Sequence, residues 1–360
     1  MTLLYMSETL LYSCFSIVIG ALLMQLVPTH KKPSLLVRER WLYAAVTGIA
    51  VLAFVPVAVL IAELAAGSSP LLSTAQTVIL GFTIGKAWAF TCVMSLFFIL
   101  YLFTFPVLTD KRFTAGGLLF TLVLIVSISW SSHAASLTDW TGVFSHTVHF
   151  TAVSIWVGLL LMSGWFAKDD ANWLPFLRWL SPVAAVCFLL TAVSGFWMMT
   201  MILDVSDYAS DWSLNYGQAL LIKHLLLLPI LLFAFTNGFL LKRKLQEGQA
   251  VHPKPWIRAE SLVLLFIFVT TAFLGQQEPP HAASKESYSP LFALFYGGSL
   301  PPALPLELSW SSLSVLFAFL AALFLALGIW GYMKKAAALT FLMSMLLAFS
   351  LYLALISGLS

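Results

Sequence analysis

The chain has 360 residues, 61% of them apolar and only 9% charged, with a net charge of +3. A soluble domain is about 45–50% apolar and about 25% charged, so the composition excludes an ordinary globular enzyme or binding module. The small positive charge reflects uneven loops rather than a surface for nucleic acid.

Ten apolar stretches, centred near Ile17, Leu52, Met94, Val123, Ile155, Leu189, Leu228, Ile267, Leu320 and Met345, reach the roughly 20 residues that a spanning helix needs. Stretches this long and continuously apolar are helices, not the alternating strands of a barrel. The expected fold class is an all-α polytopic integral membrane protein with ten transmembrane helices.

The first stretch has no basic residue before it, and His30-Lys31-Lys32 follows it, the reverse of an export signal. It is expected to be a true first helix with its N-terminus outside. Basic residues then occupy alternate gaps. These hold Lys31, Lys32, Arg38 and Arg40; Lys111 and Arg112; Lys168 and Arg178; Lys242, Arg243, Lys244, Lys254 and Arg258; and Lys334 and Lys335. The intervening gaps hold Lys285 and the acids Glu63, Asp139, Asp204, Asp207, Asp211, Glu278, Glu286 and Glu307. Basic loops stay cytoplasmic, so both termini are expected outside. Trp41, Trp130, Trp140, Trp212 and Trp310 read as interfacial anchors.

Pro56 and Pro229 are expected to kink the second and seventh stretches. Lys86 and Lys223 are candidate intramembrane charges. Snorkelling, or pairing with acids such as Glu63 or Asp204, is the favoured role for both. Cys14, Cys92 and Cys187 all fall in apolar stretches, which argues against a disulfide framework.

The fourth stretch exits through Ser132-His133-Ala134-Ala135-Ser136 and the eighth through Pro280-His281-Ala282-Ala283-Ser284. With Gly85-Lys86-Ala87 and Gly217-Gln218-Ala219, this echo suggests a parallel repeat of two four-helix units plus two extra helices. The chain divides into a four-helix membrane unit at 1–130, a membrane core at 131–281, an extracytoplasmic loop at 282–308 and a helix pair at 309–360. The loop is rich in Pro and Ser, as suits a lid or a tether.

The fifth stretch carries His146 and His149, three residues apart on one helix face and roughly 10 and 15 Å deep. His224 on the seventh reaches the same depth as His149. The sixth leaves the membrane through Met198, Met199 and Met201. Imidazole with thioether suits copper, Cu(I) above all. A His/Met ladder in the outer half is therefore expected from the fifth, sixth and seventh helices, with His133 and His281 at its entrance. Cys187 and Cys92 lie deeper on such a path. His30 and His252 sit in basic loops and read as solvated. Gap-filling methionines and a histidine bonded to a neighbouring helix are the bland alternatives.

Five segments in order resemble the copper resistance protein D (CopD) family of bacterial inner-membrane proteins. They are Ser132-His133-Ala134-Ala135; His149 with Trp156-Val157-Gly158; Ser194-Gly195; Tyr216-Gly217-Gln218-Ala219-Leu220-Leu221-Ile222-Lys223; and Arg258-Ala259-Glu260, whose helix exits at Pro279-Pro280. The resemblance covers about residues 130–281. It implies copper handling across the cytoplasmic membrane after delivery by an extracytoplasmic copper-binding partner (CopC). It also matches His133 and His149 to family histidines. Where relatives often carry an acid three residues before the second histidine, this chain has His146. No copper-binding domain is attached, so the donor is expected to be a separate protein.

No GxxxxGK[ST] nucleotide motif and no catalytic constellation is present, so a non-enzymatic, passive or gradient-driven transporter is expected. Two alternatives stay open. One is a membrane b-type haem protein with His149 and His224 as axial ligands. The other is an assembly factor that delivers copper to an oxidase. For the topology, a Cys placed at Lys244 is expected to resist an impermeant thiol reagent added to intact cells; labelling from outside would invert the orientation.

Overall fold

The structure is a computed structural model that describes residues 2–67, 70–138, 140–280, 288–296, 306 and 308–359, with His133, Ala134, Leu137 known in backbone only. Ten helices have the length and apolarity to cross a membrane: α1 (Thr2–Leu26), α2 (Glu39–Ala65), α3 (Thr83–Thr104), α4 (Lys111–Trp130), α5 (Trp140–Trp165), α6 (Trp173–Ile202), α7 (Asn215–Gln246), α8 (Lys254–Leu274), α9 (Ser312–Met333) and α10 (Ala337–Ile356). Each expected centre falls inside one of them. Among the described residues there is no β-strand, only two isolated bridges. The protein is an all-α, multi-pass membrane protein.

Proline explains two interruptions. It lacks an N–H, and its ring clashes with the carbonyl four residues back. Helix α2 breaks at Ala53, one turn before Pro56, and α7 breaks at Leu226, one turn before Pro229. Pro182 lies inside α6 without dividing it. Helix α7 also contains a π-helical turn, Thr236–Leu241. A short helix, Leu71–Gly81, packs Val78 against Val57 and Ile61 of α2. It turns into α3 at Phe82, and Gly85 in the first turn of α3 lets the two helices close up, since an added Cβ there would stand 2.1 Å from the Val78 carbonyl oxygen.

The chain forms two compact units, Met1–Met198 and Met199–Ser360. In the first, α1 is central and packs against α2, α4 and α5. Water drives no helix association within lipid, so small residues that let backbones approach take over. Both α1 and α5 carry a Ser-x-x-x-Gly step, Ser16 to Gly20 and Ser154 to Gly158, all fully or nearly fully buried. A Cβ on Gly20 would lie 2.3 Å from the Gly158 carbonyl oxygen, and one on Gly158 would lie 2.2 Å from that of Ser16. The two backbones are in direct contact.

At the basic-loop end of this unit, the α1–α2 and α5–α6 connections are stitched together. Leu36 N donates to Phe166 O at 2.9 Å and Lys168 N to Ser34 O at 2.8 Å. The Ser34 hydroxyl and amide both donate to the Asp169 carboxylate. Asn172, in the left-handed region at φ 59°, donates to the Thr29 and Lys32 carbonyls, and Trp179 Nε1 donates to that of Lys31 at 2.9 Å. Lys32 tucks its ammonium onto the Met24 carbonyl. Burial, and then Lys111 nearby, lowers its pKa.

In the second unit α7, α8 and α10 pack together, and α9 lies along α10. The described parts of the long loop lie against this unit. They form a docked cap. The helix Pro290–Phe295 buries Phe292 completely in a cluster with Trp212, Leu221, Leu306, Tyr352, Ile356 and Leu359. Ser289 N donates to Ser213 O at 2.8 Å, and Leu306 N to the Ser210 hydroxyl at 3.1 Å.

Gly158→Leu is expected to destabilise the protein by about 1–3 kcal/mol through overpacking of the α1–α5 crossing. Gly81→Ala, with nothing within 4 Å of its new Cβ, should be neutral or mildly stabilising. Thermal unfolding in detergent compares the two, and equal effects would remove the crossing from its central place.

Candidate metal site

Helix α5 starts at Trp140, which puts His146 and His149 six and nine residues in, at roughly 9 and 14 Å along the axis. Both are half-buried. They do not converge. Three residues is 300° of turn, leaving the two rings about 60° apart around the helix. That divergence is enough to send them to different neighbours. His146 Nδ1 lies 2.9 Å from the Ser129 hydroxyl of α4. Its ring meets Phe150 edge-on at 6.0 Å, and Phe150 is in turn held by Tyr12 and Phe15 of α1. His149 Nδ1 lies 3.2 Å from the Ser194 hydroxyl of α6. Gly195 makes room for that ring, because a Cβ there would stand 3.1 Å from His149 Cε1. Ser145 Oγ donates to Ser194 O at 3.1 Å, a second tie between α5 and α6. On α1, Tyr12 donates to Glu8 Oε2 at 3.3 Å.

His149 belongs to the first unit and His224 to the second. In its own unit His224 Nδ1 is 2.6 Å from the Tyr208 hydroxyl. Tyr208 lies in the loop before α7, edge-on to Trp212 at 5.4 Å, and burial pushes its phenol up to about 12. In the same loop, burial and then Asp207 push the Asp211 carboxyl up to about 6. Asp204 is held below the usual carboxylate range by the Ser206 amide and hydroxyl.

Met199 packs against the Leu203, Tyr216 and Leu220 cluster of the second unit. Met198 and Met201 are half-buried. His133 opens the short helix His133–Thr138, but its side chain, like the whole of His281, lies outside the described residues. Lys86 is exposed in the first turn of α3, and Lys223 is half-buried in α7. Neither forms an ion pair with Glu63 or Asp204, because the ion pair among the described residues joins Arg243 to Glu247. Cys187 is buried and Cys14 and Cys92 are half-buried, all as free thiols. His30 sits exposed in the turn Thr29–Lys31, and His252 is exposed before α8.

Among the described residues no three His, Cys, Asp or Glu side chains converge on one point. What α5 offers is two imidazoles at successive depths, each with Nδ1 engaged by a serine of a different neighbour. Sequence reasoning missed Ser129 and Tyr208 altogether. It noted Ser194-Gly195 without assigning the hydroxyl a partner. Two further buried polar pairs tie down α7. Gln218 accepts from Tyr352 at 2.5 Å and donates to Trp212 O, while Asn237 Nδ2 donates to Glu260 Oε2 at 2.6 Å.

Two family models match the chain. One, described as copper resistance protein D-like, N-terminal domain, covers residues 2–143. The other, described as copper resistance protein D, covers residues 174–274. No curated protein and no solved structure matches it significantly. His133 falls in the first match and Met198, Met199, Met201 and His224 in the second, while His146 and His149 lie between the two. The two matches follow one another along the chain and together take in most of the first eight spanning helices, and the chain belongs to the copper resistance protein D family of membrane proteins.

Proposed function

We propose that this protein carries copper across the cytoplasmic membrane as Cu(I), receiving it from a separate, CopC-like extracytoplasmic donor. The observation that carries this reading is the pair of copper resistance matches, over residues 2–143 and 174–274. The chemistry of α5 supports it. A histidine ring deep in a spanning helix is costly to bury without a role, and imidazole is a good copper ligand. In the first unit the proposed ligands are His146, His149 and Met198, with His133 at the mouth. In the second they are His224, Met199 and Met201. Both termini and the acidic loops face outward in this reading, so the mouth faces the donor. With no nucleotide motif, the ion's own gradient or a coupled ion drives the step.

The protein in liposomes loaded with a Cu(I) chelator tests this. His149→Ala is expected to cut Cu(I) uptake at least about tenfold, in line with loss of a ligand or its support, while His30→Ala should leave uptake unchanged. Equal uptake by wild type and His149→Ala would remove His149 from the path. Stoichiometric Cu(I) binding without any flux would point to delivery rather than transport. A Soret band in the purified protein would replace copper with haem.

Replacing Met198, Met199 and Met201 together by Leu keeps volume and apolarity, so the fold should survive with a cost near or below about 1.5 kcal/mol per site. Cu(I) uptake should fall and Zn(II) binding should not change, because thioethers hold Cu(I) selectively. Unchanged Cu(I) uptake would leave the three methionines as packing.

A further inference from the structure

We infer that Ser194 fixes the tautomer of His149, placing the ring proton on Nδ1 and leaving Nε2 as the nitrogen that would meet copper. The metal half of this inference rests on the copper reading above; the tautomer half stands on geometry alone.

A serine hydroxyl has one hydrogen to donate. Ser194 Oγ lies 2.5 Å from the Leu190 carbonyl oxygen, one turn back in α6. A carbonyl only accepts, so the hydroxyl hydrogen points there. The 3.2 Å contact between Ser194 Oγ and His149 Nδ1 must then draw its hydrogen from the ring. A neutral imidazole carries one N–H, and its other nitrogen is an acceptor. The result is a directed chain, from His149 Nδ1–H to Ser194 Oγ–H to Leu190 O. In the opposite tautomer two lone pairs would face each other with no hydrogen between them.

The surroundings hold this arrangement in place. Ser145 donates to the carbonyl of the same Ser194, so the register between α5 and α6 is set at the residue that orients the ring. Gly195 leaves the ring free to lie against α6, since a Cβ there would press on Cε1, the atom between the two nitrogens. His146 differs. The Ser129 hydroxyl makes no other hydrogen bond among the described residues, so it can either donate to His146 Nδ1 or accept from it. His149 is the fixed ring and His146 the adjustable one. Histidines that bind metals characteristically donate their remote N–H to an oxygen, which orients the ring and makes the ligating nitrogen more basic. Ser194 supplies that oxygen from a neighbouring helix and is a positioning residue, not a ligand.

The test is nitrogen NMR on the full chain in nanodiscs, with all histidines ¹⁵N-labelled and the His149 signals identified by their loss in His149→Asn. Wild type should show a protonated Nδ1 and a bare Nε2, with Cu(I) shifting the Nε2 signal. Ser194→Ala should mix the tautomers and weaken Cu(I) binding by about 10–100-fold. Ser194→Thr keeps a hydroxyl able to donate one turn back and should restore both, which a merely structural defect would not predict. A wild-type His149 protonated on Nε2, or a Ser194→Ala spectrum with the tautomer unchanged, overturns the inference. If the tautomer is as inferred but His149 ignores Cu(I) in wild type and Ser194→Thr alike, the copper reading fails and the serine's control of the ring stands.

Discussion

The first unit is organised around one contact, the backbone-to-backbone crossing of α1 and α5 at Gly20 and Gly158. Two helices usually meet through layers of side chains; here each glycine sits where any Cβ would overlap the partner's main chain. A contact this close fixes rotation as well as distance. Gly158 follows His149 by nine residues, which is two and a half turns, so the two project from opposite sides of α5. Pressing Gly158 onto α1 therefore turns His149 away from α1 and toward Ser194 of α6. His146, about 60° round the helix from His149, is left facing Ser129 of α4. The orientation of both rings follows from a pair of residues with no side chain at all.

The second unit relies on polar bonds instead. Within lipid an apolar surface gains little by leaving its surroundings, and interhelical hydrogen bonds contribute about 0.6 kcal/mol each on average. Gln218 joins α7 to Tyr352 of α10, and Asn237 joins it to Glu260 of α8. The π-helical turn Thr236–Leu241 contains that asparagine. Such turns insert a residue into the helical ladder and re-aim the side chains around it. Over the acidic-loop end, Phe292 and Leu306 extend the apolar cluster beyond the spanning segments.

What could be read from one sequence divides along physical lines. The ten spans were legible because bilayer thickness demands long apolar runs, and all ten appear. The proline breaks were legible because proline acts through its own ring and its own missing N–H. The depth of His146 and His149 followed from rise per residue. Their partners did not. Spacing of three residues suggested a shared face, but with α4 and α6 both beside α5, a 60° difference separates their fates. Ser129 and Ser194 are two serines among many in apolar helices, and only the packing reveals which hydroxyl meets a ring. The helix Leu71–Gly81 lies outside the long apolar runs because Ser73, Thr74, Gln76 and Thr77 interrupt it, although Val78 fastens it to α2. The loop's role as a cap depends on Phe292 and Leu306 reaching the end of α10, a relation that no local pattern contains.

The stitch between the α1–α2 and α5–α6 connections has a consequence for biosynthesis. Its hydrogen bonds link residues as much as 148 positions apart, as between Lys31 and Trp179. At synthesis rates of about 5–20 residues per second, the second half of the stitch leaves the ribosome on the order of ten seconds after the first. During most of that interval α2 to α4 are being made and inserted one after another, and the glycine seam of α1 has no α5 to meet. The nascent chain must keep that seam open and uncommitted, either solvated by lipid or shielded by the insertion machinery. The time between the two hairpins is when this protein is most exposed to pairing with the wrong helix.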